Sequence, residues 1–70
     1  MQRIVKQVCG IDVAQKVLVV CLGRMYDDWS PELYANKTFA NTDKGIEALV
    51  LWVKKQTDQQ IAIFFLLNYS

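Results

Sequence analysis

Apolar and polar positions divide the chain into five segments. Residues 4–13 are rich in Ile and Val and read as a β-strand. Ala14, Gln15 and Lys16 form a short polar break, after which residues 17–23, "VLVVCLG", read as a second strand. So short a connection joins the two strands as an antiparallel hairpin. If Val13 pairs with Lys16, Cys9 faces Val20 and Cys21 faces Val8, which puts the two thiols on opposite faces, where no disulfide can join them. Residues 24–33, "RMYDDWSPEL", have no periodicity and read as a loop with a turn at Ser30-Pro31. Residues 34–40 read as a weaker strand at the edge of the sheet, with Lys37 as its protection against edge pairing.

Thr42 is a good N-cap for a helix. Asp43 and Glu47 suit the positive end of that helix, and Lys54 and Lys55 its negative end. Ile46, Leu49, Val50 and Val53 form a stripe at helical spacing, and Leu51 and Trp52 extend the apolar surface beyond it. "TDQQ" ends the helix, and Ile61 to Leu67 is then apolar without interruption. A run of this length without alternation fits a strand buried on both faces. A right-handed crossover through the helix lays this strand parallel to the first and beside it. The expected architecture is α/β: three antiparallel strands, one helix and one parallel strand, in the order 3-2-1-4. One helix cannot cover both faces of such a sheet. The surplus apolar surface predicts a homo-oligomer joined through Ile61–Leu67 and the open sheet face.

Composition narrows the function. Seventy residues make one domain at most, with a marginal core. Eight basic residues stand against seven acids, scattered along the chain, so the net charge of +1 makes no electrostatic case for nucleic acid or an anionic membrane. The absence of His removes Ser-His and Cys-His catalysis and any His-containing metal site. Two cysteines are too few for a disulfide framework, no stretch reads as a secretory signal, and no apolar run reaches the length of about 18 residues that spans a membrane. The expected location is the cytoplasm.

The candidate chemistry lies in "VCGIDVAQKVLVVC", an apolar stretch that carries Asp12 in its middle. In the expected order, strand 1 is central and Asp12 sits near its C-terminal end, where open α/β sheets bind ligands. A strand-end Asp before a tight connection can simply cap the turn. A sugar-kinase or actin-like phosphate loop would need Gly and Thr in the turn, and Val13-Ala14-Gln15-Lys16 has neither. A metal-carboxylate nuclease of the ribonuclease-H-like fold would use such an Asp to hold magnesium, together with further acids.

Two motifs carry a resemblance. "GIDVAQKVLVVCL" is similar to the opening of DEDD-type insertion-sequence transposases, the relatives of the Piv invertase whose catalytic domain is Holliday-junction-resolvase-like. "FANTDKGIEALVLWVKK" matches that family's Phe-x-Asn-Thr-x-x-Gly-x-x-x-Leu-x-x-Trp pattern through Phe39, Asn41, Thr42, Gly45, Leu49 and Trp52. The resemblance covers about residues 8 to 66. It implies that Asp12 is the first acid of a catalytic tetrad that binds magnesium. The second acid would be a Glu ending the fourth strand in a Met-Glu-Ala-Thr-Gly context; here the strand ends "FFLLNYS", with Asn68 about where the Glu belongs. The other acids, and the family's C-terminal domain, would lie beyond Ser70. The expectation is a truncated N-terminal part of a ribonuclease-H-like transposase domain, cut short or shifted in frame near residue 66. Its parent would cleave and join DNA with magnesium. This chain is expected to bind no cofactor, little or no DNA, no membrane, and to be inactive. The alternative is a small non-enzymatic self-associating module derived from such a domain.

Other residues have a bland and a sharper use. Asp27 and Asp28 could pair on a metal, but adjacent loop acids are usually solvated. Tyr26, Trp29 and Tyr34 could stack on bases, but no basic groove surrounds them. Trp52 could anchor an interface or pack between elements. Cys9 and Cys21 read as small buried hydrophobes.

Overall fold

A computed structural model describes residues 3–70. The elements in chain order are β1 (Ile4–Val13), β2 (Val17–Tyr26), β3 (Pro31–Ala40), α1 (Asp43–Gln56) and β4 (Ile63–Tyr69). The four strands form one sheet in the order β3-β2-β1-β4. β1 pairs antiparallel with β2 and parallel with β4, and β2 pairs antiparallel with β3. This is the α/β topology expected from the pattern.

The hairpin register differs from the expected one by two residues. The Ala14 N–H donates to the Val17 carbonyl at 3.0 Å, so Gln15 and Lys16 form the turn and Val13 lies opposite Leu18. A shift of two keeps every side chain on its face. Cys9, opposite Leu22, is buried, while Cys21, opposite Gly10, is exposed on the other face. Cys21 is therefore not the buried hydrophobe expected of it.

The expected loop at residues 24–33 is mostly strand. β2 runs on to Tyr26 and β3 begins at Pro31, leaving residues 27–30 as the connection. Pairing supplies what the local pattern lacked: Arg24 lies opposite Glu32, and its Nε is 2.7 Å from Glu32 Oε1. The turn is closed by the Tyr26 N–H donating to the Ser30 carbonyl at 3.1 Å, with Trp29 in the left-handed region at φ 66°. The register of β2 on β3 slips between Leu22 and Gly23, where Tyr34 is the extra residue. A bulge of this kind breaks alternation, so the sequence showed no strand period there.

The core lies between α1 and the β1-β2-β3 part of the sheet: Cys9, Leu18, Val20, Leu22, Phe39, Leu49 and Val53. The helix leans toward β3. Phe39 and Trp52 stack with centroids 5.7 Å apart, and the Tyr34 hydroxyl donates to the Gln56 carbonyl at 3.3 Å. Trp52, expected outside the buried stripe, therefore packs on the core, while Ile46 and Val50 stay 45% and 43% exposed. Thr42 caps the helix as expected, accepting from the Gly45 N–H at 3.0 Å. Gly45 is required: a Cβ there would overlap the Ala40 carbonyl.

β4 starts and ends two residues later than expected, at Ile63 and Tyr69. A polar residue inside the core explains the shift. Gln7 of β1 is only 2% exposed. Its amide nitrogen donates to the carbonyls of Asp58 and Ile61, both at 3.0 Å, and its oxygen accepts from the Asp58 N–H at 2.8 Å. The side chain thus holds the connection from α1 into β4, and residues 61–62 belong to that turn. Ile63 packs against the core, but the rest of β4 is largely bare on both faces: Phe64, Phe65, Leu66, Leu67 and Tyr69 are 52–73% exposed.

Candidate functional site

Asp12 and Asn68 are direct partners in the parallel β1–β4 ladder. Both lie one residue before the end of their strands, at the C-terminal edge of the two strands that meet through the crossover. Register partners on adjacent strands are about 4.8 Å apart and point to the same face. That face is the one α1 does not cover. Asp12 and Asn68 line a shallow groove there with Gly10, Val19, Cys21 and Leu66. Gly10 has no side chain to fill the space beside Asp12, and Val19, opposite Asp12 on β2, forms an apolar wall.

The position of Asp12 is held from behind. Asn41 sits between β3 and the helix cap. Its side-chain amide donates to the Ala14 carbonyl at 2.8 Å, and its backbone N–H donates to the Lys16 carbonyl at 2.9 Å. These bonds fix the β1–β2 turn that directly follows Asp12. No hydrogen bond among the described residues involves the Asp12 carboxylate, and the residue is exposed, so capping the turn is not its role. The turn is capped by Asn41 instead.

The other acids do not converge on Asp12. Asp27 and Asp28 follow Tyr26, which pairs with Ile4 at the opposite end of β1. The separation along the strand is about 25 Å. The Asp28 carboxylate accepts from the Ser30 N–H at 3.0 Å and from its hydroxyl at 2.6 Å, a local turn bond. No group of three or more His, Cys, Asp or Glu that could hold a metal is found among the described residues. One carboxylate and one amide fall short of magnesium's needs, since it takes near-octahedral oxygen ligands led by carboxylates. The donor set does not fit the magnesium-binding tetrad that the resemblance implies.

Tyr26 and Tyr34 are engaged elsewhere. The Arg24 guanidinium lies 3.9 Å from the Tyr34 ring centroid and 5.9 Å from that of Tyr26. The Tyr26 hydroxyl donates to Glu32 Oε1 at 2.8 Å. The hydrogen bonds from Arg24 and Tyr26 hold the Glu32 carboxyl below its ordinary range. Trp29 is exposed at the turn. Burial pushes the Cys9 thiol up, which makes it a packing group rather than a nucleophile. Among the described residues, no helix is long and apolar enough to cross a membrane.

The sequence reading did not single out Gln7 or Arg24. A polar residue within an apolar strand is the signal that would have marked Gln7. Comparison of the chain with family models, with curated proteins and with solved structures finds no match.

Proposed function

We propose that the chain forms part of a ribonuclease-H-like catalytic domain of the DEDD transposase type, with Asp12 as one acid of the metal site and an amide, Asn68, at the position of the second. The observation that supports this is the Asp12–Asn68 pair. The parental acids would occupy these two ladder positions, on central strand β1 and the neighbouring edge strand β4, on the open face. The second motif supports the same assignment in physical terms. Phe39 and Trp52 stack, Asn41 holds the turn after Asp12, Thr42 caps α1, Gly45 permits the approach to Ala40, and Leu49 is core. Each of these residues builds the frame around Asp12, and none supplies chemistry. With an amide at position 68, Asp12 has no carboxylate partner across the β1–β4 ladder. A reducing compartment, the cytoplasm, belongs to the same proposal.

Restoring the missing charge tests it. Asn68→Glu should create a divalent-cation site that the unaltered chain lacks, read from manganese-induced broadening of amide signals near Gly10 and Asp12. Two carboxylates should bring the dissociation constant to about millimolar or below. Adding Asp12→Asn should remove the site again. Tight manganese binding by the unaltered chain, or DNA cleavage lost in Asp12→Ala, would overturn the proposal.

A second reading has its own observation. A strand exposed on both faces suits a non-enzymatic module that works by self-association, with β4 as its contact surface.

A further inference from the structure

We propose that β4 pairs antiparallel with β4 of a second copy, with Leu66 facing Leu66 across the two-fold axis. The result is one eight-stranded sheet. This deepens the self-association reading and is independent of the catalytic one.

The backbone of β4 dictates which atoms are free. The Ser70 N–H donates to the Val13 carbonyl at 3.0 Å. Backbone groups alternate sides along a strand, so Phe64, Leu66 and Asn68 also direct their N–H and C=O toward β1. Ile63, Phe65, Leu67 and Tyr69 therefore direct theirs outward, past the edge of the sheet. These outward groups form a template for another strand.

Nothing along β4 discourages that pairing. Its seven residues, IFFLLNY, include no Pro, no Gly and no charge. Such residues are the usual means by which natural edges are blunted.

Symmetry then selects the register. Two antiparallel strands related by a two-fold axis have that axis perpendicular to the sheet, so both helices lie on the same face. Directly opposite residues share a face, so a residue on the helix side must meet another on the helix side. Ile63 and Phe65 line a groove with α1, as do Leu67 and Tyr69, while Leu66 and Asn68 line the open-face groove with Asp12. The axis must therefore pass beside a residue rather than between two. Placing it at Leu66 overlaps the whole of Ile63–Tyr69. Moving it to Phe65 or Leu67 leaves part of the strand without a mate.

In the Leu66 register the outward residues meet one another: Phe65 faces Leu67, and Ile63 faces Tyr69. On the open face Leu66 meets Leu66, and Phe64 meets Asn68. Every helix-side pair joins an aromatic to an aliphatic residue, a favourable cross-strand combination. β4 itself brings no charge to the junction, and the charges beside it on β1, Lys6 over Phe64 and Asp12 beside Asn68, are of opposite sign.

The edge offers the outward backbone groups of Ile63, Phe65, Leu67 and Tyr69, and pairing also covers the flanks of five large side chains that are at least half exposed. The pairing also ends with two copies. It uses β4 from each chain, and the outer edges of the joined sheet are then both β3, which carries Pro31, Glu32 and Lys37.

Cross-linking and sedimentation of the full chain test the proposal. In a Cys21→Ser background, with Cys9 buried, Leu66→Cys should form a covalent dimer under mild oxidation at low micromolar concentration. Asn68→Cys, which would face Phe64, should not. Leu67→Pro removes an outward N–H and leaves the β1 ladder intact, so it should fold with an unchanged circular-dichroism spectrum. It should weaken the dimer about tenfold for each bond lost. A folded monomer at all concentrations would overturn the proposal, with β4 then free for the rest of a longer chain or for another protein. A dimer that Leu67→Pro does not weaken and Leu66→Cys does not cross-link would place the contact elsewhere. Polymers in place of dimers would refute the closure at β3. None of these results bears on the manganese test of Asn68→Glu, so the two proposals fail separately.

Discussion

The two edge strands of this sheet are built in opposite ways. β3 carries Pro31, Glu32 and Lys37, bulges at Tyr34, and packs against the helix through Phe39 and Tyr34. β4 carries no charge, runs without a bulge, and receives little cover from the helix. Yet β4 is the strand that brings Asn68 beside Asp12. The contrast shows that where α1 lies decides which edge is finished. Leaning on β3, the helix completes the hairpin side as a small core and leaves the Asp12–Asn68 side of the sheet bare.

The contrast can be broken most severely at its covered edge. Phe39→Ala removes the stack with Trp52 and opens a cavity in the core, at a cost of about 3–5 kcal/mol. In a domain of this size that should abolish the cooperative thermal transition. A loss below about 1 kcal/mol would show that the stack is not what covers β3.

Gln7→Ala acts on the other edge. It strands the Asp58 N–H and the Asp58 and Ile61 carbonyls in the turn that leads into β4, at about 2–3 kcal/mol. Amide exchange in β4 should speed by about a hundredfold, while β2–β3 amides change much less. Uniform acceleration across the sheet would mean that β4 is not held separately.

Thr42→Ala should cost about 1 kcal/mol in chemical denaturation, because the Gly45 N–H loses its acceptor at the point where β3 turns into α1. No change would show that the close packing of Gly45 on Ala40 holds this corner without the cap.

The smallest effect concerns pH. The folded state lowers the Glu32 carboxyl below its ordinary value of 4.5, first through the Arg24 hydrogen bond and then through Tyr26. A lowered carboxyl contributes stability that is present above its unfolded value and lost as pH falls through its folded value. Unaltered protein and Glu32→Gln should therefore differ by a constant amount near neutrality and converge below pH 4.5. The Glu32 side chain is exposed and solvent screens the pair, so the difference should be small. A gap that persists in acid would assign the effect to packing of Arg24 on Tyr34.

Much of this fold was legible because the signals were local. The Thr42 cap, the helical stripe and the short polar break after Val13 each act within a few residues, and they place the elements in the order observed. The position of Asp12 followed from that order. The rest depended on partners distant in sequence. Residues 24–26 and 31–33 become strand through Arg24 and Glu32, and the Tyr34 bulge hides their period. The limits of β4 are set by Gln7, whose partners lie more than 50 positions away. Asn68 read as standing at the end of the fourth strand, and only the ladder sets it level with Asp12.

The parallel ladder between β1 and β4 also has a consequence in time. The β1–β2 hairpin closes over a two-residue turn, whereas Ser70 reaches Val13 across 57 positions. Closing the longer loop costs about 2–3 kcal/mol more in chain entropy, so the hairpin forms early and β4 arrives last. Until it does, β1 is open on one side to any strand of the same kind. A neighbouring chain can deliver its own β4 there, and the two molecules then leave the encounter with strands exchanged. Pulsed exchange labelling during refolding should find Val19 protected before Leu66. Simultaneous protection would mean that the two ladders close as one event.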